Sequence, residues 1–187
     1  MDTFHPLSCA MLKNLKTARH DGVVKALYQL LFQIGLRQGI LREAPLTYGD
    51  IHRRADIKFI KNQIDGYVDV AVVNPACTKY LSRGSGNIGG QAGVHKEALK
   101  TAKYQVLGEA ISSKFIPFIV DATGRLAPKA VAFINNLTGF QTPGMPGDDR
   151  LAGVRRFFYL RVMASVVKGN AAMVQACLDH STVVQNH

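Results

Sequence analysis

The chain is predicted to be a mixed α/β protein, with a central β-sheet flanked by helices and a C-terminal helical extension. Three observations predict this class. Short apolar, β-prone runs at 54–60, 67–74 and 114–122 alternate with longer stretches whose apolar residues recur at helical spacing. With 47% hydrophobic residues in 187, there is enough apolar mass to bury a real core. The last segment, roughly 151–179, keeps helical spacing and contains no strand-like run. Residues 1–140 are accordingly read as the sheet-bearing domain and 141–187 as the extension.

From residue 17 to 36, Val23, Val24, Leu27, Leu30, Leu31 and Ile34 form the stripe of an amphipathic helix that ends near Gly35. Residues 39–44 suit a strand and 45–49, from Pro45 to Gly49, a turn. The runs 54–60 and 67–74 read as adjacent strands joined by a polar loop at 61–66. A glycine-rich connection at 75–93 leads to a helix over 94–110, where Lys96, Lys100 and Lys103 fall on one face. The connection is no P-loop, because it lacks the Gly-Lys-Ser/Thr ending that holds a nucleotide phosphate and magnesium.

The run 114–122 reads as a buried strand, and Pro117 marks it as an edge or a bulge. A helix is expected over 126–137. A Pro/Gly-rich break at 142–147 then precedes the last helix, which is expected to bend at Gly169-Asn170. The apolar residues of that helix, among them Val154, Phe157, Phe158, Met163, Val166 and Val167, are expected in the core.

Twenty-three lysines and arginines against 13 acids give a net charge of +10, which points to nucleic acid as partner. Arg53, Arg54, Lys58, Lys61 and Lys96 are candidate backbone contacts, and Arg155 and Arg156 form a second candidate basic surface. Such contacts position a nucleic acid without reading its bases. Three scattered cysteines supply no disulfide framework, and a reducing compartment fits best. No apolar run reaches the roughly 18 residues of a membrane span, and no secretory signal is read at the start. The expected location is intracellular, in the nucleus or in an organelle such as the mitochondrion.

The chemistry centres on Asp56 and Asp69, each set in a β-prone run and separated by a turn. Two carboxylates on neighbouring strands can share one divalent cation. Magnesium suits them, because it takes carboxylates together with waters and phosphate oxygens, and it can activate a water beside a phosphodiester. A lysine on the following helix, Lys100 or Lys103, would face the phosphate.

At these residues the sequence resembles the restriction-like endonuclease domain, of the PD-(D/E)xK superfamily, that follows the reverse transcriptase in non-LTR retrotransposons. Arg54-Ala55-Asp56 is similar to the family's basic residue, proline and aspartate; Asp69 to its second acid; and Lys100-Thr101-Ala102-Lys103-Tyr104 to the lysine and tyrosine of its basic helix. Arg19-His20 resembles an Arg-His at the start of the first helix, and residues 115–124 resemble the strand, acid and glycine after the basic helix. Ala55 replaces the usual proline, and Ala71 stands where many of these enzymes keep a lysine, so the cation must come from the helix.

The resemblance implies a restriction-endonuclease-like fold over about residues 5–137. It implies magnesium at Asp56 and Asp69, and catalytic Asp56, Asp69, Lys100, Lys103 and Tyr104. Zinc is not expected from this chain alone: His5 and Cys9 resemble only half of a zinc knuckle, and structural zinc takes four ligands. No reverse transcriptase is read in these residues, which leaves two main functions open, beside a third in which a basic interaction domain binds an acidic protein. One is a magnesium-dependent DNA-nicking endonuclease. The other is a non-catalytic RNA-binding subunit of a ribonucleoprotein such as an organellar ribosome, with other proteins of a large assembly as partners.

Overall fold

A computed structural model describes residues 12–36, 38–85, 88–139 and 149–185. His5 and Cys9, and the Pro/Gly-rich break at 142–147, lie outside them. The elements are α1 (Lys13–Gln33), β1 (Leu41–Tyr48), β2 (Ile51–Lys61), β3 (Ile64–Val73), α2 (Thr78–Leu81), α3 (Gln91–Gln105), α4 (Glu109–Ser112), β4 (Phe115–Asp121), α5 (Pro128–Leu137) and α6 (Asp149–Gln185). The strands form one mixed sheet in the order β1-β2-β3-β4, with β1, β2 and β3 antiparallel and β4 parallel to β3. A parallel pair needs a crossover, and the segment carrying α3 supplies it.

Helix α1 stops where its glycine permits. Gly35 takes φ +94°, while its N–H bonds the carbonyl of Phe32 and the N–H of Leu36 bonds that of Leu31. This double closure caps the last carbonyls of the helix, and only glycine adopts the left-handed turn without strain.

Three elements differ from the sequence reading. Pro45 lies inside β1 rather than in a turn, opposite Arg54. It is tolerated because β1 is an edge strand, where a missing N–H need cost no ladder bond. The polar loop at 61–66 shrinks to Asn62-Gln63, both at positive φ, the geometry of a tight hairpin turn whose twist matches the strands it joins. Part of the glycine-rich connection winds into the single turn α2.

Residues of β3 and β4 alternate between the two faces of the sheet. Val68, Val70, Phe118 and Val120 face α1, α5 and α6 and form the main core with Leu27, Leu30 and Leu31. On the other face Tyr67 and Phe115 meet Tyr104 and Leu107, and Val73 and Ile119 meet Ala92.

The C-terminal extension is the single helix α6, and it lies along α1. Gln29 meets Arg161, Gly22 meets Ser165 and Arg19 meets Gly169, so the two helices run antiparallel. The helix continues unbroken through Gly169-Asn170, where a bend was expected. Gly169 is required for a different reason. A Cβ there would sit 2.5 Å from the Cβ of Arg19.

Gly169→Ala, which would gain about 1 kcal/mol in an open helix, is therefore expected to lose about 1–3 kcal/mol by overpacking. Urea unfolding checks the sign. The core expectation for α6 is half corrected: Phe158 and Val166 are buried and Val154 packs against them, but Phe157, Met163 and Val167 are exposed. One face of the helix covers α1, and 37 residues present more apolar side chains than one face can hold. Among the described residues, no helix is long and apolar enough to cross a membrane.

Candidate functional site

The site forms where β2 leaves β3. Their ladder ends at Ile57 opposite Val68, although both strands continue. Extended by one step it would set Asp56 against Asp69, and by two, Ala55 against Val70. Instead β2 turns about Asp56: Ile57 packs in the main core, while Ala55, two residues away, packs with Tyr104 and Leu107 on the other face. A regular strand would keep both on one side.

Side chains take over the hydrogen bonds that the parting strands give up. Asp56 Oδ2 accepts the Val70 N–H at 2.5 Å, and the Tyr104 hydroxyl donates to the Arg54 carbonyl at 2.7 Å. Buried backbone groups must find partners somewhere. Here they find the same residues that the sequence singled out for chemistry.

Asp56 is also reached from α1, where His20 Nε2 lies 3.3 Å from Oδ2 and His20 Nδ1 lies 3.1 Å from Asp21 Oδ1. Asp69 points to the α3 face, and Lys100 Nζ donates to its Oδ2 at 2.6 Å. The side chains of Asp56, Asp69 and Lys100 retain 15%, 8% and 15% of their exposure, so the cluster is nearly dry but still touches solvent. The two carboxyl groups are near enough for one to hydrogen-bond the other when it carries a proton.

Their environments drive them apart. Burial raises the carboxyl of Asp69 and the charge of Asp56 adds to it, against the opposing pull of Lys100. Burial acts on Asp56 too, but the hydrogen bond and charge of His20 and the Val70 N–H together hold it below the usual carboxylate range. Two acids with opposed shifts in one pocket divide into a readily ionised and a reluctant member.

The hydrogen bond to Asp56 raises His20 to about 9, more than burial lowers it. Since the folded value exceeds the unfolded one, the stabilisation is complete below about 6.5 and is lost as pH rises through about 9. In metal-free buffer, the stability difference between wild type and His20→Gln is expected to shrink by on the order of 1–2 kcal/mol across that window, discounted for partial exposure. Urea midpoints from pH 6 to 9.5 would reveal it; a difference constant with pH would mean that the imidazole is not charged against Asp56.

Of the other sequence candidates, some converge and some do not. Tyr104 is fully buried, stacked on Phe115 at 3.9 Å, and burial raises its hydroxyl further above its ordinary range. Its hydroxyl braces β2 through the Arg54 carbonyl and also lies within hydrogen-bonding reach of Asp69. Lys103 is exposed, with its ammonium 5.1 Å from the Tyr104 ring, so Lys100 is the lysine that meets a carboxylate. Lys96 lies on the same helix, its ammonium pKa lowered by burial and by the charges of Lys100 and Lys79. Lys79, on α2, joins this basic rim without having been singled out in the sequence, since a lone lysine in a glycine-rich connection carries no pattern.

Arg53 is exposed beside this region, and Arg54 pairs with Glu43 at 2.6 Å on the surface. Lys58 pairs with Asp65 at 3.0 Å, and Lys61 donates to the Asn136 carbonyl at 3.3 Å. Their charges are thus partly answered within the protein. Arg155 and Arg156 sit roughly 20 Å along α6 from the level of Arg19 at 1.5 Å per residue, far from the carboxylates. Asp121 closes its own turn, accepting from the N–H and hydroxyl of Thr123 and from the Arg125 N–H.

His20 is the residue whose place in the cluster the sequence conveyed least. Its only signal was the Arg-His pair at the start of the first helix. Among the described residues, no group of three or more His, Cys, Asp or Glu side chains is arranged to hold a metal ion. Any cation at Asp56 and Asp69 would have to complete its shell from solvent and substrate, a demand that suits magnesium and not structural zinc. No protein-family model matches this chain, and no curated protein matches it.

Proposed function

We propose that this chain is a nucleic-acid-binding protein of the restriction-like endonuclease lineage found in non-LTR retrotransposons, and that it nicks DNA with magnesium at Asp56 and Asp69. The observation that carries this reading is the parting of β2 from β3, where Asp56 lies within hydrogen-bonding reach of Asp69 and Asp69 holds the Lys100 ammonium, at a solvent-touching gap. A basic rim of Lys79, Lys96 and Lys103 and the +10 net charge supply the attraction for a phosphate backbone.

Magnesium bound there would acidify a water and offset charge on the phosphate. The chain's own groups have separate tasks. Asp56, kept ionised by His20, and Asp69 supply the anionic oxygens. Lys100 balances Asp69 and presents an ammonium to a phosphate oxygen. Tyr104 and the Val70 N–H hold the two strands at the separation that keeps the carboxylates together. The test is cleavage of single- and double-stranded DNA with magnesium or manganese by wild type and by an Asp56→Asn, Asp69→Asn double variant.

A second reading has its own support: Lys100, His20 and the Val70 N–H already answer the carboxylates from within the protein, so the fold does not require a metal. On this reading the chain is a non-catalytic RNA-binding subunit of a ribonucleoprotein such as an organellar ribosome. Co-purification with a large RNA–protein particle, together with unchanged behaviour of the double variant, would establish it.

A further inference from the structure

The helix α6 has two apolar faces, and the fold uses one. Phe158, Val162, Val166 and Met173 are buried against the body of the protein. On the opposite side Phe157, Leu160, Val167, Val174 and Leu178 are all exposed, Leu160 at 60%, Val167 at 58% and Leu178 at 57%. With Ala164 and Ala171 between them, also exposed, these positions step by three and four residues alternately along the helix. That spacing is the seam of a helix–helix zipper, with an average period of 3.5 residues.

The side-chain sizes along the seam match such a partner. Leucine and valine project at one set of seam positions, while alanine at Ala164 and Ala171 leaves recesses at the other, so a facing helix can seat its own side chains.

Charge decides the partner. The seam is flanked by Arg156 and Lys168 and by Arg161, whose guanidinium bonds Gln29 of α1 and lies over the Phe157 ring, and the only acids in residues 149–185 are Asp149 and Asp179, near the two ends. A second copy, parallel or antiparallel, would set these cations against one another, which costs stability. An amphipathic helix with acidic flanks would instead place carboxylates opposite Arg156 and Lys168. We propose that the exposed seam of α6, Phe157 to Leu178, docks an acidic amphipathic helix of another protein, its apolar residues filling the recesses at Ala164 and Ala171 and its carboxylates facing Arg156 and Lys168.

The probe is a synthetic helical peptide of about four heptads with leucine and alanine on the seam and glutamate at the flanking positions, compared with its lysine-flanked counterpart. Fluorescence anisotropy with the full chain is expected to show the acidic peptide binding at least about tenfold more tightly than the basic one. Leu160→Ser with Val167→Ser should abolish binding at unchanged melting temperature, both residues being exposed. Arg156→Glu with Lys168→Glu should reverse the preference between the peptides, a result that loss of fold cannot mimic. The proposal is overturned if neither peptide binds, or if both bind equally. Self-association of the chain in sedimentation that is lost in the serine variant, or seam-dependent binding to anionic vesicles, would overturn it as well, by assigning the face to a second copy or to lipid.

Discussion

Changing Asp56 and Asp69 together to asparagine is expected to reduce magnesium-dependent DNA cleavage by about 10³-fold or more while leaving DNA binding within about threefold. Asparagine is nearly isosteric and its carbonyl oxygen can still accept the Val70 N–H, so the parting of the strands survives. What disappears is the pair of negative charges that would hold a divalent cation, worth several kcal/mol of transition-state stabilisation, or tenfold in rate for each 1.4 kcal/mol. Binding is retained because it resides in the lysine rim and in long-range charge, and removing two anions from a basic surface helps rather than hinders it. A nicking assay on supercoiled DNA, run beside a gel-shift titration, separates the two quantities. Equal cleavage by wild type and variant would remove the catalytic reading; cleavage by neither, with unchanged binding, would leave the RNA-binding subunit ahead.

Phe118→Ala is expected to destabilise the protein by about 3–5 kcal/mol. Phe118 is fully buried at the middle of the edge strand β4, with its ring edge-to-face against Phe133 at 6.5 Å and against Phe158 at 6.1 Å. The substitution therefore empties a site shared by β4, α5 and α6, and three separate elements cannot all move in to refill it. Against a typical total of 5–15 kcal/mol, such a loss brings the fold near its limit. Phe157→Ala, one residue from Phe158 but 45% exposed, should cost only about 0.5 kcal/mol. Urea midpoints for the two variants give the comparison. Equal losses would mean that α6 is not seated on the body as described.

Sequence pattern located the elements well where one local signal dominated. The stripe from Val23 to Leu31 defined α1, and the apolar runs around Val70 and Phe118 defined the parallel pair β3 and β4. Pattern was weaker where a residue's meaning depends on its neighbours in space. Pro45 suggests a turn until the strand that holds it proves to be an edge, and the close approach of Arg19 that Gly169 permits has no signal in the sequence. On α6 the apolar residues exceed what one face can hold, and composition alone does not say which of two adjacent phenylalanines goes inside.

The sequence by itself determined which residue types were available for chemistry: two aspartates in β-prone runs, lysines on one helical face, and a surplus of positive charge. These are local or additive properties, readable from order and count. Tertiary structure alone decided that β2 turns away from β3 at Asp56, that His20 from a distant helix charges against that carboxylate, and that Lys100 rather than Lys103 meets Asp69. It also buried Tyr104 and set its hydroxyl as a brace on β2. The physical reason is that ionisation, burial and hydrogen-bond partnership depend on distances of a few ångströms between segments tens of residues apart, and only the packed chain sets those distances.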